Sequence, residues 1–489
     1  MSRYDHRLYL SLSLCSMLCS MLLALPASAD EPGDYNFWKT LRNLFSPETA
    51  NRPVTTAQTQ GMYPLSLAPS GFDDGFEPGR YDNWQQVDVP VSTGAMCGNG
   101  SPYKFYVYRV PDTNNTLMYF EGGGACWDYA SCSGQAGVRG ARNINGIPDG
   151  YVQNVNLLDF ENATNLGTAA ASPLIYTFHP YNRFKTGQWN LVYVPYCTGD
   201  IYIGDKTQVY EDPAGQAPDL VWHHNGLRNV QAVTSWVKNN LRRPRQLAVG
   251  GCSAGSIGAL LNYSKVRGDM NSRYAYLIDD SGPLYDAPLS SNDTDTYPSL
   301  LLHREVLDTW TDFVEGGDPS AENPINLVRN ITPGFESDRL ASLYGALSAK
   351  YPDDRLGITH FLADGNFSSY SYERFYPEIG NDPDPESKLD RLRERWQQDT
   401  NDNLIPLLDA TGNWSYYFPL FRNFNESHCT TVLDLRYGEI QELGLDIYDF
   451  LNTVVDYRGG PPLRAVETST ADYTENSFDF FYWLVGSLL

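Results

Sequence analysis

Gln246-Leu247-Ala248-Val249-Gly250-Gly251-Cys252-Ser253-Ala254-Gly255-Ser256-Ile257-Gly258-Ala259-Leu260-Leu261 is the stretch on which the fold turns. Its first half is a short apolar run with the length of a buried strand. Its second half sets small and aliphatic residues as a helix would. Between them, Gly251-x-Ser253-x-Gly255 leaves a serine in a strand-to-helix turn. Such a turn strains the serine backbone and lifts its oxygen clear, which only small neighbours permit. Gly251, Ala254, Gly255 and Gly258 supply them. The five-residue pattern alone is common; the strand before it and the helix after it make Ser253 a candidate nucleophile.

Working outward, further strands are expected at Tyr103–Tyr108, Thr116–Phe120, Leu191–Pro195, Tyr274–Ile278, Gly357–Leu362 and Trp414–Phe418. The segment Gly226–Asn240 places Leu227, Val230, Val233, Trp236 and Val237 on one helix face. Helical patterns recur at Ser299–Phe313, Glu386–Gln398 and Leu445–Val455, the last expected to close the fold. Strands alternating with helices predict an α/β fold, a mostly parallel sheet with helices on both faces. No internal repeat and no linker divides it, so one large domain is expected.

The chain has 489 residues, 42% hydrophobic and 19% charged, which excludes a disordered protein. Its net charge of −24 leaves no basic surplus to bind nucleic-acid phosphate. Arg3 and Arg7 precede an apolar run from Leu8 to Leu25, and Ala27-Ser28-Ala29 follows as a cleavage pattern. Residues 1–29 are therefore expected to be a signal peptide, 30–75 an N-terminal extension and 76–489 the catalytic domain, with no membrane span and an extracellular or periplasmic location. Six cysteines stay behind the expected cleavage point, enough for three disulfides in an oxidising compartment.

A serine hydroxyl is a weak nucleophile and needs an adjacent base. Of the seven histidines, His6 leaves with the signal, while His303 and His360 sit in a helix and a strand pattern. His179 precedes Pro180 in a loop. The pair His223-His224 has no carboxylate or cysteine spaced to complete a metal site. His428, in the polar loop Asn425-Glu426-Ser427-His428-Cys429 after a strand, stands where a base is expected late in the chain. The orienting acid belongs after a strand between the two. Asp364, opening Gly365-Asn366-Phe367, is preferred over Asp279, Asp280 and Asp409.

An oxyanion needs backbone N–H donors, and a glycine loop allows a substrate to approach them closely. Gly123 and Gly124, in Glu121-Gly122-Gly123-Gly124-Ala125 after a strand, are candidates, with the amide of Ala254 as the other. No Walker-type lysine follows, which weakens a phosphate-cradle reading. Cys252 directly precedes the expected nucleophile and Cys429 directly follows the expected base. If the two side chains meet, a disulfide between their neighbours becomes possible, tying the base loop to the turn. Cys126 and Cys132 suit a local bridge.

These residues fall in an order that resembles a known family. Cys97-Gly98-Asn99-Gly100-Ser101-Pro102-Tyr103 comes first, then Glu121-Gly-Gly-Gly-Ala-Cys126, then Val194-Pro195-Tyr196-Cys197-Thr198-Gly199-Asp200. Gly251-Cys-Ser-Ala-Gly255 with Leu261-Asn262, and Asp280-Ser281-Gly282, complete the set. The pattern resembles the pectin acetylesterase/Notum family of secreted α/β-hydrolase-type carboxylesterases. That resemblance implies an α/β-hydrolase-like fold, a Ser253–His428–Asp364 triad, pairing of Cys97 with Cys197, and no cofactor or metal. It implies an ester substrate, with an O-acetyl or O-acyl group on a polysaccharide such as pectin first. Lipid-like esters or polyesters are the alternative, and a non-catalytic binding protein on the same fold is a third reading. Ala125 stands where plant members carry tryptophan, which implies a widened or reshaped acyl pocket.

Overall fold

The strand ends, more than the strands, define this molecule. In a computed structural model, residues 74–136, 140–152, 172–175, 184–318, 320–422, 425–431 and 438–468 are described. Strands β1 (Trp84–Asp88), β2 (Lys104–Tyr108), β3 (Thr116–Phe120) and β4 (Asn190–Val194) form one side of the main sheet. Strands β5 (Lys206–Tyr210) and β6 (Leu220–His224) make a separate antiparallel ribbon. The main sheet continues through β7 (Gln246–Cys252), β8 (Tyr274–Asp280), β9 (Arg355–Thr359), β10 (Trp414–Phe418) and β11 (Arg464–Val466).

The sheet order is β1-β2-β4-β3-β7-β8-β9-β10-β11. β2 runs antiparallel to both its neighbours, and every other pair is parallel. This is the α/β-hydrolase-like arrangement expected from the sequence. Alternate residues of a strand point to opposite faces. Ala275 through Asp280 are all essentially buried, so both faces of β8 are covered. That coverage explains why the central strands read as unbroken apolar runs rather than alternating ones.

Pairing of Phe120 with Gly251, Cys252 with Asp280 and Asp280 with Thr359 sets the carboxyl ends of four strands level. Ligands of open parallel sheets bind beyond those ends. The glycine loop, the Ser253 turn, Asp364 and His428 all follow such ends.

Several boundaries differ from the expectation. β9 stops at Thr359, so His360 lies beyond the strand, where Leu362 and Ala363 donate instead to the carbonyls of Pro419 and Leu420. The helix expected over 299–313 spans Leu300–Trp310. The next expected helix extends to Pro385–Asn403, started by Pro385 in the first turn and an Asp384 carboxylate accepting from Glu386 N–H. The helix expected to close the fold, Ile447–Val454, is followed by β11, which pairs parallel with β10. The sequence reading does not place β1, the ribbon, or the helices Pro324–Ile331 and Ser342–Lys350, all of them short or interrupted segments. The expected signal peptide, residues 1–29, and nearly all of the expected extension lie outside the described residues.

Candidate active site

Ser253 sits at φ 58° and ψ −128°, between β7 and the helix Ala254–Met270. A non-glycine residue held there costs on the order of 1–3 kcal/mol and persists only when its surroundings enforce it. They do. Ser253 N–H donates to the Asp280 carbonyl at 2.8 Å, and its own carbonyl accepts from Ser256 N–H and Ile257 N–H. A Cβ on Gly251 would stand 2.5 Å from the Phe120 carbonyl oxygen, and one on Gly255 would press into the same oxygen. The glycines are thus required by the close approach of β3. Ala254 opens the helix, where first-turn N–H groups lack intrahelical acceptors.

His428 is reached from the other end of the chain. Its Nδ1 lies 2.8 Å from Asp364 Oδ2. Asp364 is fully buried, and its other oxygen accepts from Phe367 N–H at 2.8 Å, so the same carboxylate fixes its own loop. Burial alone would lower the imidazole pKa; the charge and hydrogen bond of Asp364, with the charge of Asp280, outweigh it and raise it above 6.5. Cys252 and Cys429 form a disulfide across a separation of 177 positions. A His428 ring nitrogen and both of those sulfurs lie within 4.8 Å of one another, which brings the imidazole to the Ser253 turn.

Asp280, a rival for the acid, has a different task. Its carboxylate accepts from Thr430 N–H at 2.8 Å and Thr430 Oγ1 at 3.0 Å, and from Thr431 N–H at 2.8 Å and Thr431 Oγ1 at 2.6 Å. It anchors the two residues after Cys429. Buried Arg422 completes the clamp by donating to the Cys429 carbonyl at 2.6 Å, and Cys429 N–H donates to Ser281 Oγ. Asp279 is buried on β8 beside Gly251, with burial pushing its carboxyl well above the ordinary range. Asp409 accepts from Tyr416 and pairs with Arg464, away from this cluster.

The glycine loop is held by Glu121. One of its oxygens accepts from Tyr151 OH at 2.7 Å and lies 3.0 Å from Arg142 Nε; the other accepts from Tyr196 N–H at 2.9 Å. Arg142 in turn packs over Gly123, whose φ of 148° and missing Cβ leave it room. Arg142, Tyr151 and Arg422 were not singled out in the sequence, because a lone Arg or Tyr in an irregular loop carries no periodic signal.

Ser253, Ala254, Gly124 and Ala125 line one pocket. Its remaining walls are mainly apolar, with Ile257, Leu284, Leu302, Val306, Leu340 and Phe367 among them. Trp127, displaced from the position of Ala125, stacks edge-on against Tyr370 at 4.8 Å. Of the remaining histidines, His303 lines the pocket and His360 stacks on Phe418 at 4.3 Å. His223 contacts Thr207 Oγ1, His224 contacts Tyr210 OH, and His179 lies outside the described residues. Cys97–Cys197 and Cys126–Cys132 are also disulfides. The sulfurs near His224 and His428 are therefore bonded to each other and offer no thiolate to a metal.

The comparisons with known proteins agree with the resemblance read from the motifs. Residues 181–300 match the family model described as Pectinacetylesterase. The palmitoleoyl-protein carboxylesterase notum2 of Xenopus laevis is 23% identical over 195 residues, 38% of this chain and 34% of that protein. Pectin acetylesterase 7 of Arabidopsis thaliana is 27% identical over 181 residues, 36% of this chain and 39% of that protein. The matched region thus spans little more than a third of these relatives' own length. A solved structure of the Wnt deacylase Notum from Drosophila, 17% identical, covers 77% of this chain and 94% of its own, with a TM-score of 0.47.

Proposed function

We propose that this protein is a serine carboxylic ester hydrolase. Ser253 attacks the ester carbonyl; His428 takes its proton and returns it to the leaving alcohol; Asp364 holds the imidazole in the required tautomer. The N–H groups of Gly124 and Ala254, with Gly123 beside them, stabilise the oxyanion, each donor contributing about 3–4 kcal/mol to barrier lowering. The observation that carries this reading is the 2.8 Å contact of His428 Nδ1 with a buried Asp364, on a loop disulfide-bonded to the residue before Ser253. Similarity to carboxylesterases and a pectin acetylesterase supports the same reaction class.

The acyl group is the finer question. The walls beside Ser253 are mainly apolar, with Ile257, Leu284, Leu302, Val306, Leu340 and Phe367 among them. They offer more apolar surface than an acetyl methyl group can cover, while a longer apolar acyl chain would bury it. The pocket therefore favours the lipid-like alternative over acetylated pectin, and the strong negative charge adds repulsion toward polygalacturonate. Three disulfides support export to an oxidising compartment, with residues 1–29 as the export signal and 76–489 as the catalytic unit. The test is a chain-length series of p-nitrophenyl esters from acetate to palmitate, alongside acetylated pectin, on wild type and Ser253→Ala. Peak kcat/KM at medium or long chains is expected; a peak at acetate with release from pectin restores the polysaccharide reading. No hydrolysis of any ester, with no fluorophosphonate label on Ser253, would leave the non-catalytic binder.

A further inference from the structure

Glu121-Gly122-Gly123-Gly124 is a segment that cannot hold its own shape. Glycine has more backbone freedom to lose than any other residue, so three in a row become ordered only against neighbours. Gly122 lies against the nucleophile turn: a Cβ there would stand 2.5 Å from the Cys252 carbonyl oxygen and 3.4 Å from Ser253 Cβ. A Cβ on Gly255 would in turn stand 2.8 Å from the Glu121 carbonyl group. The middle of the loop is covered from elsewhere. At Gly123 the three nearest neighbours of a Cβ would all be Arg142 atoms, Cβ at 2.6 Å, Cδ at 2.7 Å and Cγ at 3.2 Å. The same side chain brings its Nε to 3.0 Å from Glu121 Oε1 and 3.0 Å from Tyr151 OH. Arg142 thus touches the loop twice, through its stem and through its guanidinium.

Glu121 is 4% exposed, and its carboxylate belongs to the residue that opens the loop. A negative charge buried there opposes the negative charge that grows on an ester oxygen under attack, and low-dielectric surroundings leave that opposition unscreened. The Arg142 guanidinium offsets it. Resting on the ester-hydrolase reading above, we propose that Arg142 is a positioning residue for the oxyanion hole. Its stem pins Gly123 and its guanidinium neutralises Glu121, so the Gly123 and Gly124 N–H groups are held ready for the tetrahedral oxygen. Tyr151, 2% exposed and donating to Glu121 at 2.7 Å, braces the pair. In this role Arg142 meets no reacting atom; it acts through the loop.

Three variants separate the two tasks. Arg142→Ala removes stem and charge, Arg142→Met keeps the stem without the charge, and Arg142→Lys keeps both. With p-nitrophenyl octanoate, Arg142→Ala is expected to lower kcat by about tenfold to hundredfold, short of the roughly 10²–10³ lost with a donor itself, and to leave KM within about threefold. Arg142→Met should fall between Ala and wild type, and Arg142→Lys should recover most of the loss. An octyl trifluoromethyl ketone, which Ser253 converts to a bound oxyanion, should lose affinity in step with kcat/KM. The acid limb of the pH profile should stay in place, because His428 and Asp364 are untouched. Amide hydrogen exchange in residues 121–125 should quicken in Arg142→Ala while that of 246–261 holds, a local release rather than unfolding. Should the whole domain loosen in that variant, Arg142→Met carries the same comparison. Unchanged kcat in both Ala and Met, lost kcat with unchanged ketone affinity, or a Lys variant no better than Ala overturns the inference and leaves the esterase standing. If wild type cleaves no ester, the esterase reading fails on its own, and exchange decides: quicker exchange confined to the loop supports Arg142 as its anchor, and unchanged exchange ends it.

Discussion

Within Gly251–Gly258 the backbone itself does the positioning. Strand β7 ends, Ser253 takes a positive φ, and small residues let β3 and the following helix close in. In Arg422–Thr431 the local hydrogen bonds of Arg422 to Ser427 and to the Cys429 carbonyl are joined by Asp280, Ser281 and a disulfide that reach in from other parts of the chain. One half of the site is shaped largely by small residues within eight positions of Ser253, with the Asp280 carbonyl and β3 closing on them, the other by contacts across some 150 positions. The contrast teaches that a nucleophile turn is portable and a base loop is not. Substitutions near Ser253 should distort locally, whereas those around His428 should free a whole segment.

The first way to break the comparison is at the joint between the halves. Asp364→Asn keeps the shape but offers His428 the wrong hydrogen-bond partner, and kcat on an activated ester should fall by about 10⁴. The pH profile sharpens this. A general base must be neutral, so kcat/KM should decline as pH falls through a His428 pKa that lies above 6.5. Losing the Asp364 charge leaves burial to dominate, and the acid limb of any residual activity should move to lower pH.

Next in size is the disulfide. Cys252→Ala with Cys429→Ala removes a cross-link closing a loop of 177 positions, worth about 5 kcal/mol in the chain-entropy model. Chemical denaturation should show a loss of that order, and activity should drop further than stability explains, because the base loop is loosened. Asp280→Ala should follow, costing roughly 3 kcal/mol by stranding the buried Thr430 and Thr431 donors, with the fall in kcat exceeding that in Ser253 labelling by small, reactive probes. The smallest effect belongs to the portable half. Gly258→Ala drives a methyl group into the Tyr202 ring, an overpacking cost of about 1–3 kcal/mol in thermal stability with the base loop unaffected.

The same contrast governs what could be read from the sequence. The turn was legible because its determinants are neighbours: an apolar strand, a G-x-S-x-G and a helix in one run of residues. Asp364 was legible more faintly, as an aspartate after a strand whose oxygen also caps the turn at Phe367. His428 was found by elimination, and Cys429 beside it gave the only long-range clue. Asp280 was weighed as an acid and is instead an anchor, which no local pattern could reveal, since its partners Thr430 and Thr431 lie 150 and 151 positions away. The Glu121–Arg142–Tyr151 cluster behind the glycine loop escaped for the same reason. The apolar character of the pocket was also hidden, because its walls come from segments scattered between Gly124 and Ser371.

The central claim is that His428, oriented by Asp364, activates Ser253. Exposing the folded protein to a fluorophosphonate and locating the adduct by peptide mass spectrometry tests it most directly, with His428→Ala beside wild type. The account predicts rapid, stoichiometric modification of Ser253 and a rate lowered by orders of magnitude in the folded His428→Ala protein. An adduct on another residue, or equal rates in the two proteins, would contradict it.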